Sequence, residues 1–474
     1  MTHPGSREHL PAPERAARGA AARHACPPEE QAELELPPDR LTPVALLDAQ
    51  AESRVPELVP VRHGRMLTSP FAFYRGAAAM MAMDLAAAPV SGLGVQLCGD
   101  AHLSNFGTFA SPERRLMFDL NDFDETTPGP WEWDVKRLAA SMVVAGRQNG
   151  FEAKQRRKAV MATVRAYRDG VARFAGMRAL DVWYARLEVE QIQRLLEGQL
   201  SEQRAKQLRK SVSKARGSDS LKAFEKLTWV VDGEVRIKPD PPLVVPVADL
   251  LPGIERRRLE AEIRELLGRY RQTLQSDRRI LLDAFEFVDM AHKVVGVGSV
   301  GTRCWIVLLR GRDDSDPLFL QVKQAQPSVL ERFVPARLRP LERPDSEGQR
   351  VVEGQRLMQA ASDIFLGWQR TQGVDGVWRD FYVRQLRDQK ASAAVEQLAP
   401  RGMRLYGKLC GWTLARAHAR SGDPIAIAAY LGEDDAFPRA VVEFSESYAD
   451  QNERDHAALV EAVHDGRVQA ALGV

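Results

Sequence analysis

Residues 97–107 read LCGDAHLSNFG, and this stretch carries the strongest indication of the fold. Asp100 stands five positions before Asn105, in a segment that contains two glycines and lies between apolar runs. Phosphoryl-transfer enzymes use this spacing for a catalytic base and a magnesium ligand. Because two residues are a weak signal by themselves, the rest of the chain must supply the partners of such a site.

The next segment adds carboxylates. RLMFDLNDFDE, residues 115–125, predicts a short strand that ends in a carboxylate-rich turn. The run that follows, GPWEWDVKRLAASMVVAG, predicts a helix, since Leu138, Met142 and Ala145 recur at helical spacing after a proline-containing turn. The carboxylates of the turn are therefore expected between a strand and a helix.

A glycine-rich loop lies far downstream. GVGSVG, residues 296–301, matches the pattern G-x-G-x-x-G, which has two main meanings. A dinucleotide fingerprint opens a helix, whereas TRCWIVLL after this loop is a β-forming run. The loop is therefore predicted between two strands, where a kinase glycine-rich loop covers ATP phosphates. Its nucleotide-binding candidates are Gly296, Gly298, Ser299 and Gly301.

The strand after the loop region supplies a cation. Lys323 lies in the otherwise apolar run LFLQVKQA, where a lysine needs an anionic partner. In the kinase arrangement it pairs the α- and β-phosphates, and its usual protein partner is a glutamate on a nearby helix. GQRVVEGQRLMQAASDIFLGW, residues 348–368, predicts that helix and offers Glu353, with Glu347 as a substitute.

Composition limits the class of protein. The chain has 474 residues, 44% of them hydrophobic, enough for two or three domains or lobes. A net charge of +2 provides no long-range attraction to nucleic acid or to an anionic membrane. The four cysteines are scattered, and no signal peptide or spanning segment is recognised. We therefore predict a cytoplasmic protein with no nucleic-acid or membrane partner, and leave its oligomeric state open.

The chain is predicted to divide into four parts. Residues 1–38 are poor in large apolar side chains and are expected to be a disordered tail. Residues 39–290 would hold the catalytic-loop segment and a helical lobe, and residues 291–395 a sheet-containing nucleotide-binding lobe. Residues 396–474 would be C-terminal helices that return to the helical lobe.

One early segment has two interpretations. SPFAFYRG, residues 69–76, places aromatic side chains beside Arg75. A helix start packed by Phe71 and Phe73 is favoured over a phosphate-contacting Arg75.

These motifs resemble the protein-kinase-like fold, in particular the aminoglycoside phosphotransferase and choline kinase branch, whose catalytic loop reads H-G-D-x-H-x-x-N. Gly99, Asp100, His102 and Asn105 match it, with Cys98 in the place of the leading His. The resemblance also implies a metal-binding Asp after the next strand and an Asp at the start of a helix, for which Asp122 and Asp134 are the best matches. Asp119 competes with Asp122, and Asp124 is a possible further metal ligand.

The whole chain also resembles a bacterial family, domain of unknown function 2252, over residues 40–465. The segments that carry this resemblance are SPFAFYRG, GDAHLSNFG, NDFDE, RVVEGQRLMQ, YVRQLRD and ARAHARSGD. The family name implies no activity, so the chemistry depends on the kinase-like motifs.

The order of the motifs differs from that of ordinary kinases, because the catalytic loop here precedes the glycine-rich loop. GKLCGWTLARAHARSGD, residues 407–423, looks like the helix that normally leads into the catalytic loop. The expected fold is therefore α+β: a two-lobed kinase-like fold, circularly permuted, mostly helical, with a small antiparallel sheet lobe.

The resemblance implies a Mg-ATP-dependent phosphotransferase acting on a small-molecule or protein hydroxyl. Asp100 would be the catalytic base, Asn105 and Asp122 would hold Mg²⁺, and Lys323 would fix the ATP phosphates with the help of Glu353. His102, the other catalytic-loop candidate, is expected to brace the loop by hydrogen bonds more than to take part in the chemistry.

Other functions remain open at this point. The same fold can transfer AMP if ATP binds reversed, or persist as a non-catalytic nucleotide-binding regulator. A metallohydrolase using Asp100, His102, Asp119 and Asp122 would leave the glycine-rich loop and Lys323 unexplained. A helical scaffold using the charged residues 151–285 ranks low, because that region lacks coiled-coil heptads.

Overall fold

The computed structural model describes residues 10–196, 220–250, 256–294, 296–339, 344–373, 375–386 and 389–473, with single residues between 201 and 219. The chain is mixed α+β, with several small antiparallel sheets, as predicted. No helix of this described part is both long enough and apolar enough to span a membrane.

Helices dominate both ends of the chain. Those of the N-terminal half are α1 (Ala12–Ala25), α2 (Pro43–Ala51), α3 (Val59–Leu67), α4 (Pro70–Gly76), α5 (Ala78–Leu85), α6 (Trp131–Gln148), α7 (Ala153–Ala175), α8 (Ala179–Tyr184) and α9 (Val189–Leu196). Those that follow are α10 (Ser220–Leu227), α11 (Val247–Leu250), α12 (Arg256–Gln272), α13 (Ser276–Leu282), α14 (Glu347–Met358), α15 (Pro400–Ser421), α16 (Pro424–Leu431) and α17 (Ala436–His464).

Within the described residues, the strands form four antiparallel sheets. They are β1 (Gly94–Leu97), β2 (Phe106–Ala110), β3 (Leu116–Leu120), β4 (Thr127–Pro130), β5 (Thr228–Val231), β6 (Glu234–Ile237), β7 (Val244–Pro246), β8 (Glu286–Lys293), β9 (Cys304–Arg310), β10 (Pro317–Ala325), β11 (Gly367–Gln372), β12 (Trp378–Gln385) and β13 (Ala391–Ser392). The largest sheet has the order β11-β12-β10-β9-β8-β7, while β13-β2-β3, β1-β4 and β5-β6 are smaller.

The helical part is built around α6, α7, α15 and α17, which pack against one another. Its largest core cluster includes the fully buried aromatic side chains Trp131, Tyr167 and Tyr430, with Trp131 stacked on Tyr167 at a centroid distance of 5.6 Å. Helices that are distant in the chain thus share one core, because α15 and α17 cover the apolar surfaces of α6 and α7.

The N-terminal segment from residue 10 onward is ordered, so the predicted disordered tail is wrong there. Helix α1 packs against α16, and the Arg15 guanidinium donates to the Asp423 carboxylate at 2.9 and 2.6 Å. A Cβ at Gly19 would lie 2.1 Å from the Ala426 carbonyl oxygen. The small side chains of this segment permit a close contact between two helices. Residues 1–9 lie outside the described residues.

The predicted start of the sheet lobe at residue 291 is also wrong, because it falls inside β8. Strand β7, at Val244–Pro246, already belongs to the same sheet. The prolines around it gave no strand pattern in the sequence. The glycine-rich loop connects β8 to β9, which pair antiparallel, so the prediction of a loop between two strands is confirmed.

Two small sheets position the LCGDAHLSNFG stretch. Strand β1 ends at Leu97 and β2 begins at Phe106, so the polar residues lie in the connection between them. The predicted strand before the acidic turn is β3, and the predicted helix begins at Trp131. At the end of α15, Ser421 Oγ accepts a hydrogen bond from the Gln96 amide at 3.2 Å, which brings that helix beside β1.

Candidate functional site

A cavity of about 300 Å³ lies where the helical part meets the large sheet. Four stretches of the chain line it: residues 50–79, 100–125, 296–302 and 324–329. The predicted site residues that line it are Asp100, His102, Asn105, Asp122, Gly296, Gly298 and Ser299. Folding therefore brings the two distant motifs to one cavity.

The backbone at the start of the catalytic-loop candidate is hydrogen-bonded to a side chain of α6. The amides of Cys98 and Gly99 donate to the Asp134 carboxylate at 2.7 and 3.0 Å. Gly99 has φ +86°, and a Cβ there would lie 2.1 Å from the Glu125 carbonyl oxygen. Only glycine fits this left-handed, crowded position, so Gly99 and Asp134 together set the direction in which Asp100 leaves the backbone.

Asp100 is paired with a buried arginine. Nε and Nη2 of Arg137 each lie 2.8 Å from Asp100 Oδ1. The Arg137 guanidinium also stacks over the Tyr74 ring, 3.9 Å from its centroid. Burial raises the pKa of the Asp100 carboxyl, and Arg137 opposes that shift. Asp100 is therefore an oriented carboxylate whose proton affinity is increased by its surroundings.

His102 supports the loop. Its Nδ1 accepts a hydrogen bond from the Ser104 amide at 3.2 Å, at the start of a single 3₁₀ turn. Burial, together with the nearby charges of Arg137 and Arg75, lowers the pKa of His102 well below its usual value. A neutral ring with Nδ1 as acceptor carries its proton on Nε2, which lies 3.6 Å from Asp100 Oδ2. These contacts favour a bracing role.

Asn105 links the loop to the acidic turn. Its Nδ2 donates to the Asp100 carbonyl oxygen at 2.6 Å, which orients the amide and leaves Oδ1 as an acceptor. The backbone carbonyl oxygen of Asn105 accepts a hydrogen bond from the backbone N–H of Asn121 at 2.9 Å. The residue before Asp122 is thus tied to the loop that carries Asp100.

Two of the three cavity carboxylates in the acidic turn, Asp122 and Asp124, have pKa values that are shifted in opposite directions. Burial and the neighbouring charge of Asp124 raise the pKa of Asp122, whose Oδ1 accepts from the Asp124 amide at 3.3 Å. Burial would raise the pKa of Asp124 too, but the Lys323 ammonium outweighs it and lowers that pKa to about 2. The surroundings of Asp124 therefore favour its anionic form, and Asp122 is the more readily protonated of the two.

Asp124 is the partner of Lys323. Lys323 Nζ donates to Asp124 Oδ2 at 2.6 Å, and Tyr382 Oη donates to Oδ1 at 2.6 Å. The antiparallel register places Lys323 opposite Tyr382 on β12. Ser299 of the glycine-rich loop donates to the same carboxylate at 3.1 Å. One carboxylate thus joins the sheet, the acidic turn and the loop.

The predicted pairing of Lys323 with Glu353 is therefore wrong. Glu353 accepts a hydrogen bond from Gln349 Nε2 at 2.7 Å, and the substitute, Glu347, pairs with Arg350 at 2.5 Å. All four residues of these two contacts lie on α14. The helix was predicted from its pattern, but its orientation over the sheet, which decides the pairing, was not readable from the sequence.

Asp119 does not belong to the cavity. Its Oδ1 accepts from Arg416 Nη2 at 2.6 Å, its Oδ2 from the Ala360 amide at 2.8 Å, and both charged side chains are only 1% exposed. Strand β3 is buried along its whole length and Asp119 pairs there with Arg416 of α15, whereas Asp122, in the turn after β3, lines the cavity. The prediction of Asp119 as a metal ligand is wrong for this reason.

A scan against protein-family models matches residues 54–462 to the family described as uncharacterized protein conserved in bacteria (DUF2252). The chain belongs to the DUF2252 family. The resemblance read from the sequence is confirmed to that extent. Neither the curated proteins nor the solved structures contain a match to the chain.

Three arginines of this DUF2252 chain also line the cavity, and only one of them was considered from the sequence. They are Arg54, Arg62 and Arg75. The predicted helix start is confirmed, since Ser69 Oγ accepts from the Ala72 amide and Phe71 and Phe73 are buried. Arg75 nevertheless reaches the cavity from the last turn of that helix. Arg54 and Arg62 carried no motif that could have revealed them.

The oxygen donors present suit magnesium. Among the described residues, no group of three or more His, Cys, Asp or Glu side chains could hold a metal ion. Mg²⁺ at nucleotide sites is held by one or two protein groups plus phosphate oxygens, so it does not need such a group. Asn105 Oδ1 and the Asp122 carboxylate, both lining the cavity, are oxygen donors of the required kind.

Proposed function

We propose that this DUF2252 protein is a Mg-ATP-dependent phosphotransferase that acts on a hydroxyl group. The observation that carries the proposal is the shared cavity. Asp100, Asn105 and Asp122 reach it from one part of the chain, and the glycine-rich loop reaches it from another. The Lys323 ammonium donates a hydrogen bond to Asp124, a carboxylate that lines this cavity. These are the side-chain types that phosphoryl transfer requires.

Each residue has a role in this proposal. Asp100 accepts the proton of the acceptor hydroxyl, whose oxygen bonds to the γ-phosphorus as the bond to the β–γ bridging oxygen breaks and ADP leaves. Asn105 and Asp122 would hold Mg²⁺, which supplies charge neutralisation of the phosphates. Backbone amides of residues 296–301 and the Lys323 ammonium would bind the phosphate chain.

The contacts at the end of α15 support a permuted kinase-like arrangement. Ser421 lies beside Gln96, directly before the catalytic-loop candidate, although the two residues are far apart in the chain. A connection from α15 to β1 would restore the order of motifs found in ordinary kinases. Because catalysis depends on where the elements pack, the permuted order leaves the proposed chemistry intact.

The alternatives differ in how well the cavity accommodates them. AMP transfer and non-catalytic nucleotide binding would use the same cavity. The reaction product, or its absence, must therefore distinguish them from phosphotransfer. A metallohydrolase with Asp100, His102, Asp119 and Asp122 is disfavoured, because Asp119 is paired with Arg416 away from the cavity.

A thermal melt with ATP, with and without Mg²⁺, tests the proposal. Ligand at about 100 times its Kd stabilises the native state by about 2.7 kcal/mol, so the midpoint should rise for the wild type. Asp122→Asn and Lys323→Ala should lose that rise, while Asp169→Asn, an exposed carboxylate on α7, should keep it. Mg-ATP binding that survives both Asp122→Asn and Lys323→Ala would refute the proposed site.

The product identifies the reaction. Mass spectrometry of acceptors incubated with Mg-ATP should show phosphate adducts that Asp100→Ala abolishes. AMP adducts would replace phosphotransfer by AMP transfer. Nucleotide binding without turnover of any acceptor would favour the regulator.

A further inference from the structure

Residues 50–79, here called the arginine segment, give the cavity a strongly basic side. Arg54 follows α2, Arg62 lies on α3 and Arg75 lies on α4, so three different local structures deliver guanidinium groups to one space of about 300 Å³. The phosphotransferase roles proposed above use none of them. Their purpose needs a separate explanation.

Arg62 is the most deeply buried of the three. It is 1% exposed, and its Nη2 donates to Gln50 Oε1 at 2.7 Å and to the Gly76 carbonyl oxygen at 3.0 Å. Its Nε and Nη1 are buried and have no hydrogen-bond partner among the residues that the structure describes. Burial lowers the pKa of Arg62 well below its usual value. A buried guanidinium with free N–H groups is costly unless an anion joins it.

Arg54 and Arg75 repeat this pattern. Arg54 Nη1 donates to the Val300 carbonyl oxygen, which holds the end of the glycine-rich loop, while its Nε is buried without a partner in the described chain. Burial lowers the pKa of Arg54 to about 10. Arg75 Nε is likewise buried and unpartnered within the described ranges. Each of the three arginines therefore keeps at least one unused donor.

The cavity carboxylates do not supply the missing acceptors. Asp100 is paired with Arg137, and Asp124 with Lys323. Glu125 accepts a hydrogen bond from the Val329 amide at 2.7 Å, and burial raises its pKa to about 7. Asp122 also lines the cavity, and none of these four carboxylates forms an ion pair with Arg54, Arg62 or Arg75 within the described part of the chain.

We propose that Arg54, Arg62 and Arg75 form a binding site for a phosphate group, and that the second substrate carries this group. Guanidinium groups match the oxygens of a phosphate monoester geometrically and hold it by charge-assisted hydrogen bonds. The assignment to the second substrate rests on the proposed function, in which the glycine-rich loop and Lys323 bind the nucleotide phosphates. The acceptor is then a phosphorylated compound that also has a free hydroxyl.

Inorganic phosphate is the probe for the first test. Its Kd for the full chain, without nucleotide or Mg²⁺, is measured by calorimetry at constant ionic strength set with NaCl. Arg62→Met and Arg75→Met should each weaken binding at least about tenfold, equivalent to 1.4 kcal/mol. Lys158→Met, an exposed cation on α7, should leave the Kd unchanged. Equal Kd values in the wild type and in whichever arginine variants fold would overturn the site.

The second test separates the two sources of a phosphate group. Phosphate is titrated into protein saturated with Mg-AMP-PNP, whose binding is verified by its loss in Asp122→Asn. Undiminished phosphate binding supports a site for the second substrate, and displacement of phosphate by Mg-AMP-PNP overturns that assignment. If the nucleotide does not bind but arginine-dependent phosphate binding remains, the proposed function fails and the phosphate site stands.

Discussion

Two segments line the same cavity and differ in how their charges are satisfied. In the acidic segment, residues 97–125, Asp100 is paired with Arg137 and Asp124 with Lys323 at the cavity, while Asp119 is paired with Arg416 away from it. The arginine segment, residues 50–79, keeps buried N–H groups on all three cavity arginines without partners in the described chain. Protein side chains thus neutralise Asp100 and Asp124 on one side of the cavity, whereas the unpartnered N–H groups on the other side are the basis of the proposed phosphate site.

The difference has a structural origin. The partners of the acidic segment come from α6, α15 and β10, which pack around the short strands β1 to β4. The arginine segment consists of short helices whose guanidinium groups contact mainly backbone carbonyl oxygens, such as those of Gly76 and Val300. Carbonyl oxygens satisfy donors without neutralising their charge, so the positive field remains available.

The largest expected change in the free energy of unfolding is at Asp119, the buried carboxylate of the acidic segment. Asp119→Asn leaves Arg416, 1% exposed, without its counter-charge, and should destabilise the protein by about 3–5 kcal/mol. Urea unfolding with linear extrapolation measures the change. Asp122→Asn, a carboxylate of the same segment that lines the cavity, is the control and should cost less than about 1 kcal/mol. Similar losses for both variants would contradict the assignment of Asp119 to the core.

An intermediate effect concerns Glu125, the carboxyl whose charge acts on Arg54 and Arg62. Burial raises its pKa from 4.5 to about 7, so the folded state keeps this proton where the unfolded chain has lost it. Its contribution to stability is thus fully present below pH 4.5 and is lost as the pH rises through about 7. The melting point of the wild type relative to Glu125→Gln should fall over that range. A pH-independent difference would show that Glu125 titrates normally.

The smallest expected effect concerns Glu353, a carboxylate on α14 that lies outside the acidic segment. Glu353→Gln should change the free energy of unfolding by no more than about 0.5 kcal/mol, because Glu353 contacts Gln349 and lies outside the cavity. The Mg-ATP response should also stay at the wild-type level in a thermal melt. Loss of that response would mean that Glu353 pairs with Lys323 once nucleotide binds.

Local features of the site were accessible from the sequence. The glycine-rich loop between strands, the strand before the acidic turn and the helix beginning near Trp131 all follow from short patterns of turn-forming and apolar residues. Spacing selected Asp100 and Asn105, and the kinase-like resemblance implied Asp122; the structure brings all three to one cavity. Such features depend on a few neighbouring residues, and the sequence therefore records them directly.

Partner choice was not accessible in the same way. The sequence pattern offered both Asp119 and Asp122 as metal ligands and Glu353 as the partner of Lys323. Only the packing of α15 against β3 and the position of the acidic turn against β10 show that Arg416 takes Asp119 and Lys323 takes Asp124. Ion pairs between distant segments depend on a few ångströms of separation, which no local pattern specifies.

The α+β class, the family and the cavity residues Asp100, Asn105 and Asp122 could be predicted from the amino-acid sequence. Only tertiary packing shows which charges neutralise one another, that α1 packs against α16, and that Arg54 and Arg62 join Arg75 at the cavity. The physical reason is the range of the interactions. Turns and helix periods arise within a few residues, whereas burial and charge balance arise only when remote elements exclude water from the same space.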